Sequence, residues 1–157
     1  MAATNLRKDK IDESPPGTVA DNESDSNADT CCLGKNFVAI SITNRTADVY
    51  PYDTSYQPLV NVPIVSGATA FDDKHTGETF ILVFNESLYY GPKLGHSLLN
   101  PNQLRSNGLG FWDNPFDHNH SLCIETNCGI IIPLSIEGTK LSFRSRVPTT
   151  FELNTCH

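Results

Sequence analysis

The side chains best suited to chemistry lie in one short stretch, Asp25-Ser26-Asn27-Ala28-Asp29-Thr30, which runs on into Cys31-Cys32-Leu33-Gly34. Two carboxylates and two hydroxyls sit here among small residues. A carboxylate does acid–base work when a second carboxylate stands close enough to share its proton. Such a loop makes three demands. Asp25 must reach a second acid. The Ser26 hydroxyl must bond back to the backbone and hold the loop. The third residue, here Asn27, must let the chain turn close to the carboxylate, a place where glycine is usual. Asn enters left-handed backbone more readily than most residues, so the turn survives the exchange. An acidic loop without chemistry has the same composition, and these six residues alone leave both readings open.

Other constellations are weaker. Asp53-Thr54-Ser55 repeats the carboxylate–hydroxyl order, but inside a loop bounded by Pro51 and Pro58 and rich in tyrosine. It reads as an ordinary turn with an Asx-type bond. The chain therefore offers a single acid loop. His118 and His120 with Cys123 and Cys128 give H-x-H-x₂-C-x₄-C, which is not a standard zinc spacing. Loop histidines beside strand cysteines account for it. No His lies near Cys31-Cys32 in sequence, so these thiols read as small apolar packing under the loop. No phosphate loop, Ser-His-Asp order or nucleotide fingerprint appears, and neither a cofactor nor a metal is expected.

The elements that must hold the loop belong to a chain of 157 residues, enough for one domain with a real core. A net charge of −7 argues against a nucleic-acid face. Lys140, Arg144 and Arg146 form the one basic cluster, read as a solvated edge. No apolar run has the length of a membrane span, and the first ten residues lack the apolar centre of a signal peptide. Five cysteines, two of them adjacent, fit reduced thiols in an intracellular protein better than a disulfide framework.

Composition divides the chain into a disordered acidic leader over 1–22, a folded domain over 23–150 and a tail over 151–157. Residues 36–42 alternate as a strand with one apolar face. Asn44-Arg45 reads as a turn, with a short return strand over 47–50. Pro63 limits residues 62–65 to an edge or a strand start. Residues 66–77, punctuated by Gly67 and Gly77, join the strand over 79–84 as a long hairpin. Short strands follow over 88–90 and 97–99. Asn100 then has the chemistry of an N-cap, Pro101 suits the first helical position, and Gln103 sits where a capping box wants Gln or Glu. Leu104 should face the core and Gly108 should end the helix. Beyond a loop centred on Trp112, strands are expected over 122–124, 129–134 and 139–143. The pattern is that of an all-β domain, a small barrel with one short helix.

Several of these stretches, in order, resemble the protease region of LTR-retrotransposon polyproteins, especially copia-type elements. There a D-S-G-A-like loop precedes a glycine-containing flap, an L-Y-x-P-x-L strand, and an N-L-L-S-V-x-Q-L-like strand-to-helix segment. Here the counterparts are residues 25–30, residues 65–84, and the run Leu88-Tyr89-Tyr90-Gly91-Pro92-Lys93-Leu94 continuing to Leu98-Leu99-Asn100-Pro101-Asn102-Gln103-Leu104. A divergent branch carries D-S-H-A-D-T-C and L-L-N-P-N-Q-L, and this chain reproduces the second string in full. The likeness covers about residues 23–150.

It implies a retropepsin-like closed barrel and an aspartic endopeptidase that processes a retrotransposon polyprotein inside cells or in retrotransposon particles. Asp25 would be the catalytic carboxylate, Ser26 its brace and Asn27 the turn residue. Ala28, Asp29 and Thr30 would meet the substrate, with Asp29 bonding the substrate backbone or a basic group. Gly67 and Ala68 would belong to the flap near 67–77. Retropepsins carry one such Asp per chain, so the resemblance implies a homodimer acting on a peptide. The other possibility is a protease-derived module that has lost catalysis and serves in dimerisation or peptide binding. Asn27 and the polar Ser24, in place of an apolar strand residue, are its support.

Overall fold

The computed structural model of the protein describes residues 11–50, 55 and 57–155. Asp53 and Thr54, of the second acid–hydroxyl string, and Cys156-His157 lie outside the described residues.

The longest strands pair in chain order. β3 (Val38–Val49), β4 (Leu59–Asp72) and β5 (Thr79–Tyr89) form an antiparallel meander. Around them an eight-stranded sheet is completed by β1 (Val19–Ser24), β2 (Cys32–Leu33), β6 (Ser97–Leu99), β10 (Ser135–Glu137) and β11 (Lys140–Arg146). Its order is β10-β11-β1-β6-β2-β5-β4-β3, with one further register pair, Arg146 with Ala70, joining β11 to β4. A second antiparallel sheet holds β7 (Gly110–Trp112), β8 (Cys123–Glu125) and β9 (Ile131–Pro133). The helices are α1 (Pro101–Ser106) and α2 (Thr150–Thr155), with a 3₁₀ turn at Gly91–Lys93. The fold is thus mostly β, with two short α-helices where the sequence suggested one. Among the described residues no helix is long and apolar enough to cross a membrane.

Residues 19–22, read as leader, are strand. β1 pairs antiparallel with β11 and parallel with β6. Its polar sequence is tolerated because its inward side chain is satisfied by distant partners. Asn22 is 1 % exposed; its Oδ1 accepts from Asn36 Nδ2 at 2.9 Å, and its own amide donates to Ser145 Oγ at 2.8 Å. Asn36 Oδ1 in turn accepts from Ser97 Oγ at 2.6 Å, and Ser97 Oγ accepts from the Gly34 amide at 2.8 Å. Thr69 joins through its 2.6 Å bond to Ser145. Among the described residues no buried side-chain polar atom lacks a partner, as a buried network requires. The leader's later residues are held too: Gly17 N–H donates to Val147 O, and Val147 N–H to Thr18 O. The expected tail is likewise structured over residues 151–155. Arg146 bonds Asp72 on β4 and Glu152 on α2, fastening that helix to the sheet.

Irregularities fall where breaks were expected, but inside continuous strands. Asn44-Arg45 is no turn between strands: Ile42 pairs with Val65 and Thr46 with Pro63, so β3 carries extra residues there. Thr43 Oγ1 fills the gap by donating to Ile64 O at 2.7 Å. Pro63 sits where β4 has β3 beside it but no residue of β5 opposite, since that pairing starts at Ile64. This is how a strand flanked on both sides elsewhere accommodates proline. β5 bulges at Asn85-Glu86, with Glu86 at φ 53°. Such bulges re-aim side chains locally.

Candidate functional site

The acid loop hangs between β1 and β2 and is fastened from behind. Asp25 N–H donates to Leu99 O at 2.9 Å, continuing the parallel β1–β6 pairing into the loop. The Asn100 side chain does two jobs. Its Oδ1 caps α1 by accepting from the Asn102 and Gln103 amides, and its Nδ2 donates to Ala28 O. Gln103 stands where a capping box would turn it back to Asn100. Instead its Oε1 accepts from Cys31 N–H at 2.8 Å and lies 3.0 Å from Thr30 Oγ1. Asn100 and Gln103 therefore tie the loop to the first turn of α1.

Within the loop, Asn27 N–H donates to Asp25 Oδ1 at 2.9 Å and Ala28 N–H to Asp25 O at 3.3 Å, an Asx-type turn. Asn27 does not use left-handed backbone. Among the described non-glycine residues positive φ falls at Asn61 and Glu86, so glycine's freedom is not required at position 27. The expected brace is also displaced. Ser26 is exposed, and among the described residues none hydrogen-bonds its hydroxyl; Thr30, beside Gln103 and 3.2 Å from Glu86 O, takes that place.

Asp25, Asn27, Ala28, Asp29 and Thr30 all border one cavity of about 730 Å³. Asp25 is half-buried and Asp29 exposed. Leu88, Leu94, Leu98 and Ile64 give the cavity apolar surface, while Asp48 and Glu86 add two more carboxylates. Arg45 pairs with Glu86; among the described residues no ion pair engages Asp29. Cys32 and Tyr90 also border the cavity. Burial chiefly pushes the Cys32 thiol up to about 11, with the Cys31 and Asp25 charges adding to it, and burial pushes the Tyr90 phenol up to about 12. Both stay protonated at neutral pH, so neither thiolate nor phenolate chemistry arises there.

Gly67 and Ala68 do not join the site. Both are buried in mid-β4, paired with β3 and β5. A Cβ on Gly67 would lie 2.3 Å from Leu33 Cδ1, so this glycine serves close packing, not a hinge. The turn after β4, at residues 73–77, is a separate exposed feature. The same cavity is bordered by the other hairpin, β3–β4, through Ala47, Asp48, Val49 and Tyr50. Tyr50 is 74 % exposed. Residues 47–50 were legible as a strand but gave no sign of where they would fold.

The histidine–cysteine run does not gather. Among the described residues no three His, Cys, Asp or Glu stand together as a metal site. His120 stacks on Trp112 with ring centroids 3.7 Å apart and bonds Asp117 at 3.0 Å. Cys123 is buried in β8, and Cys128 contacts Thr126 Oγ1.

No family model, curated protein or solved structure matches this chain.

Proposed function

We propose that the chain is an aspartic endopeptidase of retropepsin type, acting as a homodimer on extended segments of a retrotransposon polyprotein. The observation that carries this reading is the position of Asp25. Its half-buried carboxylate stands on a cavity wall, on a loop anchored through Leu99, Asn100 and Gln103. Hydrolysis needs a second carboxylate within reach of one shared proton. A second copy would supply it from its own Asp25. One acid then takes a proton from water while the other protonates the leaving nitrogen, a contribution of roughly 10²–10⁴ in rate. The hairpin bearing Asp48 and Tyr50 would cover the peptide. The Arg146–Ala70 pair between β11 and β4 supports the closed sheet that the resemblance implies.

The exposed Ser26 and Asn27 favour a second reading, a protease-derived module that binds peptide or dimerises without cutting. A peptide digest between about pH 4 and 7 separates the two. Under the first reading the natural chain cleaves, a pepstatin-like mimic inhibits it, and Asp25→Asn abolishes cleavage. Cleavage that survives Asp25→Asn refutes the assignment. Cleavage by Asn27→Gly alone, with the natural chain silent, favours the module.

A further inference from the structure

On the other side of β2 lies a second cavity of about 750 Å³. Its walls come from three places. β5 forms one wall over residues 80–87, with Phe80, Leu82 and Phe84 packed against the core. Ile124, Ile130 and Ile132, on or beside the second sheet, form another, and Leu104 and Leu109 at α1 close an end. Phe80, Leu82, Phe84, Leu109 and Ile130 are only partly buried, so much of this apolar surface meets water. A volume of this size, concave on several sides, matches small-molecule sites of about 300–1,000 Å³.

The lining also fixes the ligand's charge. It contains no Lys, Arg or His, and its one carboxylate, Glu86, is paired with Arg45. Neither an anion nor a cation would find an unengaged counter-charge. Asn85, Ser87, Asn107, Thr126 and Cys128 also border the cavity, each bonded within the chain, and the loosely held donor is that of Gln103. Gln103 borders the cavity, and its Oε1 is committed to Cys31 N–H, which assigns the other end as Nε2. That nitrogen reaches Glu86 O only at 3.5 Å, too long for a strong bond.

We propose that this cavity binds an uncharged, mainly apolar small molecule carrying one hydrogen-bond acceptor for Gln103 Nε2, and that its occupancy is felt at the acid loop through Gln103. The route is short: the same side chain holds Cys31 N–H and borders Thr30 Oγ1. Cys31, just before β2, lines this cavity and Cys32, the first residue of β2, lines the other, while Glu86 borders both, so the start of β2 lies between them. The site is independent of proteolysis.

The test titrates Nile red, a neutral apolar dye with acceptor oxygens, into the full chain. Saturable binding with a blue-shifted emission is expected. Ile130→Trp, which fills the cavity, and Leu82→Gln, which makes its wall polar, should each weaken it by about tenfold or more. Asp25→Asn should bind as the natural chain does, so that a failure of the protease reading stays distinct. Dye binding should also slow hydrogen exchange at the Cys31 amide, and Gln103→Met should remove that effect. Uptake that does not saturate, or that survives whichever cavity variant folds, overturns the site. Dye displaced by self-association would assign the cavity to a second copy and overturn the small-molecule occupant. Unchanged exchange at Cys31 overturns the link to the loop.

Discussion

Replacing Gln103 by methionine keeps the length of the side chain and removes its acceptor. Cys31, 1 % exposed, would then bury an N–H without a partner. Such an orphan costs about 1–3 kcal/mol. Thr30 loses less, because its hydroxyl still has the Glu86 carbonyl 3.2 Å away. A total of about 2 kcal/mol follows, which in a chain of this size lowers the melting temperature by about 4–8 °C. Hydrogen exchange gives the local readout: protection at the Cys31 amide should drop by up to about thirtyfold. Gln103→Glu restores the acceptor and should keep more of that protection, although it sets a charge near Glu86. If Gln103→Met melts within about 1 °C of the natural chain and the Cys31 amide stays protected, the claim that α1 fastens the acid loop is wrong.

Asn36, fully buried and bonded to Asn22, Ser97 and Ser145, should be among the costliest positions. Asn36→Leu strands several polar groups and should cost about 3 kcal/mol or more in urea unfolding; a loss below about 1 kcal/mol contradicts the network. The Arg146 fastening predicts acid sensitivity. Arg146 holds the Asp72 and Glu152 carboxyls below their ordinary values. Their contribution is therefore complete above the unfolded values of about 3.9 and 4.3 and disappears as pH falls through the lower folded ones. Arg146→Gln should flatten the stability–pH slope below about pH 4; a modest change is expected because Asp72 is more than half exposed. Among the thiols, burial pushes Cys31 and Cys32 up, whereas bonding to Thr126 lowers Cys128. In a Cys156→Ser background, limiting alkylating reagent at about pH 8 should label Cys128 first, as peptide mapping would show; earlier labelling of Cys32 contradicts the burial of that thiol.

Local chemistry was readable in the sequence and long-range pairing was not. Asn100, Pro101, Leu104 and Gly108 mark α1 because caps and stops act within a turn, and the structure has Asn100 as cap, Leu104 buried and Gly108 at φ 85°. Gln103 shows the limit: its partners lie more than seventy residues away in the chain. β1 was hidden for the same reason, since Asp-Asn-Glu-Ser looks unfit for a strand until Asn36 and Ser145 satisfy Asn22. Gly67 was legible as special but not as to why. A glycine that admits Leu33 and one that bends a hairpin have the same letter. The acid loop stood out by composition, but neither strand that flanks it was legible, and its props came from residues chosen for other roles.

The partition at β2 also limits how the chain can drift. Consecutive side chains of an extended chain point opposite ways, and here Cys31, just before β2, borders one chamber and Cys32, its first residue, the other. Inserting or deleting one residue between the end of the loop and Leu33 would exchange the two linings and turn the fully buried Leu33 outward. Letters can change along this stretch, but its length is held: among descendants of this sequence, substitutions should accumulate there while gaps do not.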